Sequence, residues 1–332
     1  MDKTTLGTVI VDQRKTTEEI PNTVPRELSQ TISIISPSMA HLVKGVRRSG
    51  KSTLCMQFIQ KKFGKDFWYV NFDDERLATF RVEDFQILVE TLTEVFGTRK
   101  ALFLDEIQNI PKWELFVNRI LREGYFVLIT GSNADLLSRE MGTHLTGRHV
   151  DFELYPFSFR EYLLAKKIGF RPPKHMRTVE QSLIRREFQN YLFEGGMPER
   201  TVGGNDQSII NIPSDIIQKD IIRRYDIRKS GELKGTIQFL LANIGNEITF
   251  PQLAKGANLK SPTTAQKFTG YIEETYLIFL VNRFEPKIKL REKNPKKVYC
   301  IDNRIAYLLN PTLSETKGAR LANLVAVELK RR

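Results

Sequence analysis

Gly45-Val46-Arg47-Arg48-Ser49-Gly50-Lys51-Ser52 carries the spacing GxxxxGK[ST], whose residue types suit one task, holding a chain of phosphates. Glycine lets the backbone curl until several N–H groups face one anion. A helix opening at the end of the loop, from Lys51 through Thr53 and beyond, adds the positive end of its dipole. Lys51 can reach the β- and γ-phosphates, and the Ser52 hydroxyl can ligate Mg²⁺. Arg47 and Arg48 fill positions that the pattern leaves free. They read either as a solvated pair or as contacts to nucleotide or to a neighbouring subunit.

A second constellation lies further along. Ala101-Leu102-Phe103-Leu104 is an apolar run ending in Asp105-Glu106. A buried parallel strand delivers its C-terminal end to the crevice where open α/β sheets bind ligands. Asp105 there can hold the Mg²⁺ shell opposite Ser52, and Glu106 can orient and polarise an attacking water. Carboxylates also cap helices, so this pair gains its meaning from its place after the phosphate loop. Phe126–Thr130 is another apolar run, followed by Gly131-Ser132-Asn133. Ser132, ahead of Asn133, is suited to sensing a terminal phosphate or the lytic water, and equally to capping the next helix. Leu145-Thr146-Gly147-Arg148 places a guanidinium before a further strand. Arg148 reads as an arginine finger acting across a subunit boundary, or as a surface ion pair.

Positioning these groups needs alternating strands and helices. Apolar runs predict strands at Ala40–Lys44, Phe67–Phe72, Ala101–Leu104, Phe126–Thr130 and His149–Leu154. Helical periodicity falls near 51–63, 83–96, 111–122 and 133–140. This alternation predicts an α/β P-loop core, a parallel sheet covered by helices, over residues 39–156. Residues 1–38 are polar and Pro-containing, and are expected to lie irregularly against that core. Residues 157–234 lose their strand pattern and read as a helical lid. Over 235–310 the expectation is a winged helix. Its helices are Ile237–Asn243, Phe250–Lys255 and one capped by Ser261 with Pro262 in its first turn. Its strands are Leu277–Phe284 and Lys297–Ile301.

Charge is unevenly placed. The formal net charge is +12, of which residues 151–332 carry +11 and residues 1–150 only +1. A basic half beside a neutral one points to an anionic partner for the basic half, nucleic acid first, or to a solvated basic surface. Thr263, Thr264 and Lys267 on the third helix would enter the major groove of duplex DNA. Lys287, Lys289, Arg291, Lys293, Lys296 and Lys297, in and beside the loop between the strands, would contact phosphates. No apolar run approaches the length of about 18 residues that spans a bilayer, and the N-terminus has no signal-peptide core. Two cysteines and four scattered histidines make neither a disulfide framework nor a metal cluster, so the cytoplasm is the expected compartment.

These motifs together resemble those of the AAA-type ATPases of archaea and bacteria whose C-terminal region is related to PD-(D/E)XK nucleases. The match rests on GVRRSGKST at 45–53, FLDEIQNI at 103–110, ITGSNADLLSRE at 129–140 and LTGRHVDFELYPFSFREYL at 145–163. YLFEGGMPE at 191–199, VYCIDNRIAYLL at 298–309 and LANLVAVEL at 321–329 extend it. The resemblance implies an ATPase using ATP and Mg²⁺. Lys51 and Ser52 form its Walker A element, Asp105 and Glu106 its Walker B metal ligand and base, Ser132 its sensor and Arg148 a finger candidate. Gly196 and Pro198 look like the Gly-x-Pro element by which lids of related ATPases touch the base, and equally like a helix terminator. Leu321–Leu329 is an amphipathic helix pattern followed by no strand to pack on. By the resemblance it would open a nuclease-like domain, here cut short over 311–332. The expectation is no nuclease activity, from a shortened form or a degenerate member.

Three functions compete at this level. One is Mg²⁺-dependent ATP hydrolysis coupled to conformational change and DNA engagement, with a homo-oligomer implied if Arg148 is a finger. Another is a nucleotide-switched DNA-binding regulator with little turnover. A P-loop kinase ranks third, because a kinase needs an acceptor pocket where this chain predicts a winged helix.

Overall fold

The computed structural model describes all residues except 19–22, 33–37, 132–146, 172–175, 205, 287–293 and 312–316. The chain divides into two compact units. One holds Met1–Gly45 and Gly50–Leu154; the other holds Val46–Ser49 and Tyr155–Arg332.

The first unit is built on a parallel sheet of β1 (Ala40–Lys44), β2 (Phe67–Asn71), β3 (Ala101–Asp105), β4 (Phe126–Gly131) and β5 (His149–Glu153), in the order β2-β3-β4-β1-β5. Every residue of β1, β3 and β4 is buried, as a parallel sheet covered on both faces requires. Helices Lys51–Phe63, Phe85–Phe96 and Trp113–Arg122 follow the first, second and third strands. The last of these buries Trp113, Phe116, Val117, Ile120 and Leu121 on one stripe. Phe116 stacks on Phe85 with ring centroids 4.1 Å apart. From β1 the chain runs out to edge strand β2 and returns through β3 and β4, and β5 then joins the other side of β1. The C-terminal end of β1 therefore lies where the strand order reverses, the position at which open α/β sheets bind ligands.

The N-terminal segment is not irregular throughout. Lys3–Glu18 is a helix, with Leu6, Val9 and Ile10 fully buried. Those three residues stand three and four apart, a short stripe set among polar neighbours. Gln13 fastens the helix to the sheet, donating to the Asn71 carbonyl at 2.9 Å and accepting from its amide at 2.9 Å.

The second unit begins with helices Phe159–Ala165, Thr178–Glu194, Pro198–Gly203 and Ile212–Asp215. The last runs into a π-helical stretch, Ile216–Ile222. Helix Ser230–Ala242 follows, then the two-residue strand β6 (Glu247–Ile248), helices Phe250–Gly256 and Pro262–Glu274, and strands β7 (Ile278–Asn282) and β8 (Lys296–Cys300). These strands form an antiparallel sheet in the order β6-β8-β7. Ser261 caps its helix as the sequence suggests, its hydroxyl accepting from the Thr264 amide at 3.2 Å. One apolar core runs through the unit, from Met197 and Ile209 to Leu253, Ile272 and Val298.

Helix Lys317–Arg331 does have a strand to pack on, against the sequence expectation. Asn323 donates to the Cys300 carbonyl at 2.9 Å and accepts from its amide at 2.7 Å, pinning the helix to the end of β8. Val327 enters the common core. The pattern at 321–329 signals an amphipathic helix correctly but does not name its partner, which lies some twenty residues earlier. No described helix is long and apolar enough to cross a membrane.

Candidate nucleotide site

β3 ends at Asp105, and its register sets Leu104 opposite Ile129 on β4. Asp105 thereby comes beside Thr130, and β4 in turn lies against β1, from which the phosphate loop departs. The Asp105 carboxylate accepts from the Ser52 hydroxyl at 2.9 Å, from the Tyr69 phenol at 3.2 Å and from the Thr130 hydroxyl. Only 2% of Asp105 is exposed. Burial, with the neighbouring Glu106 charge, pushes its carboxyl up to about 6, although the Thr130 and Ser52 hydroxyls and the Lys51 ammonium pull the other way. Burial and the Asp105 charge raise the Tyr69 phenol, so Tyr69 serves as a neutral donor.

Glu106 begins the next turn with φ 52°, in the left-handed region that a side chain seldom occupies. Neighbouring side chains bond to it there. Its amide donates to the Thr130 hydroxyl oxygen at 3.1 Å, and its carboxylate accepts from the Gln108 side chain. Backbone strain held by neighbours in this way is characteristic of working sites. Thr130 is therefore a hinge pin, donating to Asp105 while accepting from Glu106. Sequence alone assigns no role to Thr130, Tyr69 or Gln108. The available signal is that Thr130 closes an apolar run in the sequence; its reach to Asp105 depends on strand order.

Lys51 opens its helix with its side chain buried, the ammonium donating to the Gly45 carbonyl at 3.1 Å. Ser52 and Thr53 are exposed at the same helix end. Gly50 sits at φ 91°, where a side chain would be strained. The loop residues Val46, Arg47, Arg48 and Ser49 belong to the second unit. There Val46 is fully buried, Arg47 pairs with Asp220, and Arg48 pairs with Glu199 at 2.9 Å. Both guanidinium groups thus engage carboxylates of this same chain.

The other predicted residues divide. Ser132 and Asn133 lie outside the described residues, as do Lys287, Lys289, Arg291 and Lys293. Arg148 stands just before β5, and its carbonyl accepts from the amide of Ala40, the first residue of β1. That is the end of the sheet opposite Ser52 and Asp105, about 16 Å away by strand length. Arg148 is exposed and donates to Asn118 at 3.3 Å, so it does not serve the site of its own chain. Gly196 has a structural reason to be glycine. A Cβ there would meet the Phe157 carbonyl at 2.4 Å, and its amide donates to Asp302 at 2.7 Å. Pro198 opens the helix Pro198–Gly203. Thr263 and Lys267 are exposed on helix Pro262–Glu274, while Thr264 is half-buried beside its cap. Lys296 and Lys297 begin β8, with Lys297 exposed.

An AAA domain family matches residues 38–163, and a domain of unknown function matches residues 185–315. Uncharacterized protein MJ1544 of Methanocaldococcus jannaschii is 34% identical over 308 residues, covering 89% of this chain and 67% of its own length. The chain belongs to the MJ1544 family. An uncharacterized protein of Haemophilus influenzae is 28% identical over 320 residues, with 92% of this chain and 78% of that protein aligned. Residues 38–163 of this MJ1544 relative form an AAA-type P-loop core, by domain match and by strand arrangement. Among solved structures, the replication initiator DnaA bound to AMPPCP and single-stranded DNA aligns at 15% identity and TM-score 0.31, over 76% of this chain and 90% of that one.

Proposed function

We propose that this MJ1544-family chain hydrolyses ATP with Mg²⁺. One observation carries the reading: the Ser52 hydroxyl lies 2.9 Å from the Asp105 carboxylate, with Glu106 on the adjoining turn. The donor set fits a hard divalent cation, because both are oxygen ligands and the carboxylate is held by exchangeable hydroxyl donors. When bound, Mg²⁺ would supply positive charge shared between protein and phosphate oxygens. Ser52 and Asp105 would hold it. Lys51 would turn from the Gly45 carbonyl to the phosphates, and the loop amides would orient them. Glu106, tethered through Thr130 and Gln108, would accept a proton from water placed in line for attack. Catalysis of this kind is positioning and electrostatics.

Lys51→Ala is expected to lose nucleotide binding, whereas Glu106→Gln should bind ATP and turn it over at least about a hundredfold more slowly. Unchanged turnover in Glu106→Gln would sink the assignment of the base.

We also read Ser230–Cys300 as a winged helix that engages duplex DNA. The order helix, short strand, two helices and antiparallel pair supports it, together with the basic surplus of this half. Thr263, Lys267, Lys296 and Lys297 would face the duplex. Binding that weakens steeply with added salt is the expected outcome, and salt-independent binding would count against it. Arg148 remains a finger candidate only in an oligomer, which particle mass measured with and without ATP would reveal.

A further inference from the structure

Two consecutive residues of the phosphate loop are gripped by carboxylates from separate elements of the second unit. Arg47 donates through Nε to Asp220 Oδ2 at 3.1 Å and through Nη2 to Oδ1 at 2.9 Å, a fork-to-fork pair. The pair is largely withdrawn from water, with side-chain exposures of 25% and 6%. Arg48 meets Glu199 at 2.9 and 3.1 Å, but both side chains are well exposed, and such pairs contribute little. Between the two contacts, the Arg48 backbone sits at φ 62°, a conformation a side chain rarely adopts unaided. Val46 is fully buried in the same core as Ile216, Ile217 and Ile221. Those isoleucines belong to the π-helical stretch that carries Asp220. π-turns are rare, persist where tertiary contacts hold them, and recur at functional sites.

We infer that Asp220 is a positioning residue: through Arg47 it holds residues 46–49 in the shape that presents their amides to phosphate. The inference rests on the ATPase reading for its catalytic consequence, though the effect on loop shape does not. Loop amides bind phosphate alike in the ground and transition states, so a slack loop weakens substrate binding more than the chemical step. An asparagine at 220 offers one acceptor oxygen where the fork takes two, and a lysine at 47 keeps the charge but loses the fork.

Two measurements on the full chain test this, using Asp220→Asn, Arg47→Ala, Arg47→Lys and the Asp220→Asn/Arg47→Ala double variant. In the nucleotide-free protein, hydrogen exchange at residues 46–49 should quicken on the order of tenfold in Asp220→Asn, with the sheet amides unchanged. In steady-state assays with ATP and Mg²⁺, KM should rise about tenfold while kcat stays within about threefold, and Arg47→Lys should fall between wild type and Arg47→Ala. The double variant should be no worse than either single one, because both changes remove the same link. Unchanged loop exchange and KM in Asp220→Asn overturns the inference, as do effects that multiply in the double variant. A wild-type chain with no turnover would defeat the ATPase reading, and the exchange measurement would then decide this inference alone.

Discussion

Asp105 and Asp302 are both buried aspartates, one closing β3 and the other capping helix Asn303–Leu309 just after β8, yet their partners differ in kind. Burial raises both carboxyls. Asp302 accepts from three backbone amides, Gly196 at 2.7 Å, Arg304 at 2.8 Å and Ile305 at 3.1 Å. Amides fixed in the main chain cannot turn away, so this carboxylate is a permanent cap and cross-tie. Asp105 accepts from hydroxyls of Ser52, Thr130 and Tyr69. Hydroxyls rotate, so the same oxygens can be released to a cation. On the proposed reading, donor type, more than burial, separates a carboxylate that caps and ties from one that can take a cation.

The comparison can be broken at either end. Asp105→Asn should cost the largest effect, a loss of ATP turnover of at least about a hundredfold, with the unfolding midpoint of the first unit unchanged or raised. A large fall in that midpoint would mean that Asp105 is structural after all. Asp302→Ala should destabilise the second unit by about 3–5 kcal/mol, since three backbone amides, two of them in the first turn of helix Asn303–Leu309, lose their acceptor. Denaturation followed by a probe in the second unit checks this. Gly195→Ala should act the same way more gently. Its residue sits at φ 72°, and an added Cβ would collide with the Asp302 carboxylate at 2.3 Å, an expected loss of about 2 kcal/mol. Thr130→Val sharpens the working end. It removes the donor to Asp105 and the acceptor for Glu106 together, and should lower kcat by on the order of tenfold with little change in KM. The smallest effect belongs to Lys267→Ala, which should reduce the salt slope of DNA binding by about one unit, and a slope that stays put would exclude that lysine from the interface.

Much of the first unit is legible in the residue pattern alone. The five parallel strands fall where apolar runs of about five residues stand between turn signals, and each observed boundary lies within a residue of the pattern. The helix at Lys3–Glu18 escapes such a reading because a stripe of Leu6, Val9 and Ile10 among threonines is too sparse to stand out. β6 escapes it because two residues carry no periodicity; Ile248 pairs only because β8 supplies a partner about fifty residues later. Gly196 reads as a helix terminator or a base contact, and only packing against the Phe157 carbonyl shows what excludes a side chain there.

What the order of amino acids settles on its own is the phosphate-loop spacing, the acidic strand end that follows it and the alternating pattern that predicts a parallel sheet. These are local: residue type, spacing and hydrophobic period are all contained in short windows of chain. Tertiary packing alone settles that Thr130 and Tyr69 hold Asp105, that Arg148 stands at the far end of its own sheet, and that Arg47 is taken by Asp220. Each of those depends on strand order or on a contact between residues far apart in the chain. Such pairings are selected by the packing of the whole core, which no window of sequence contains.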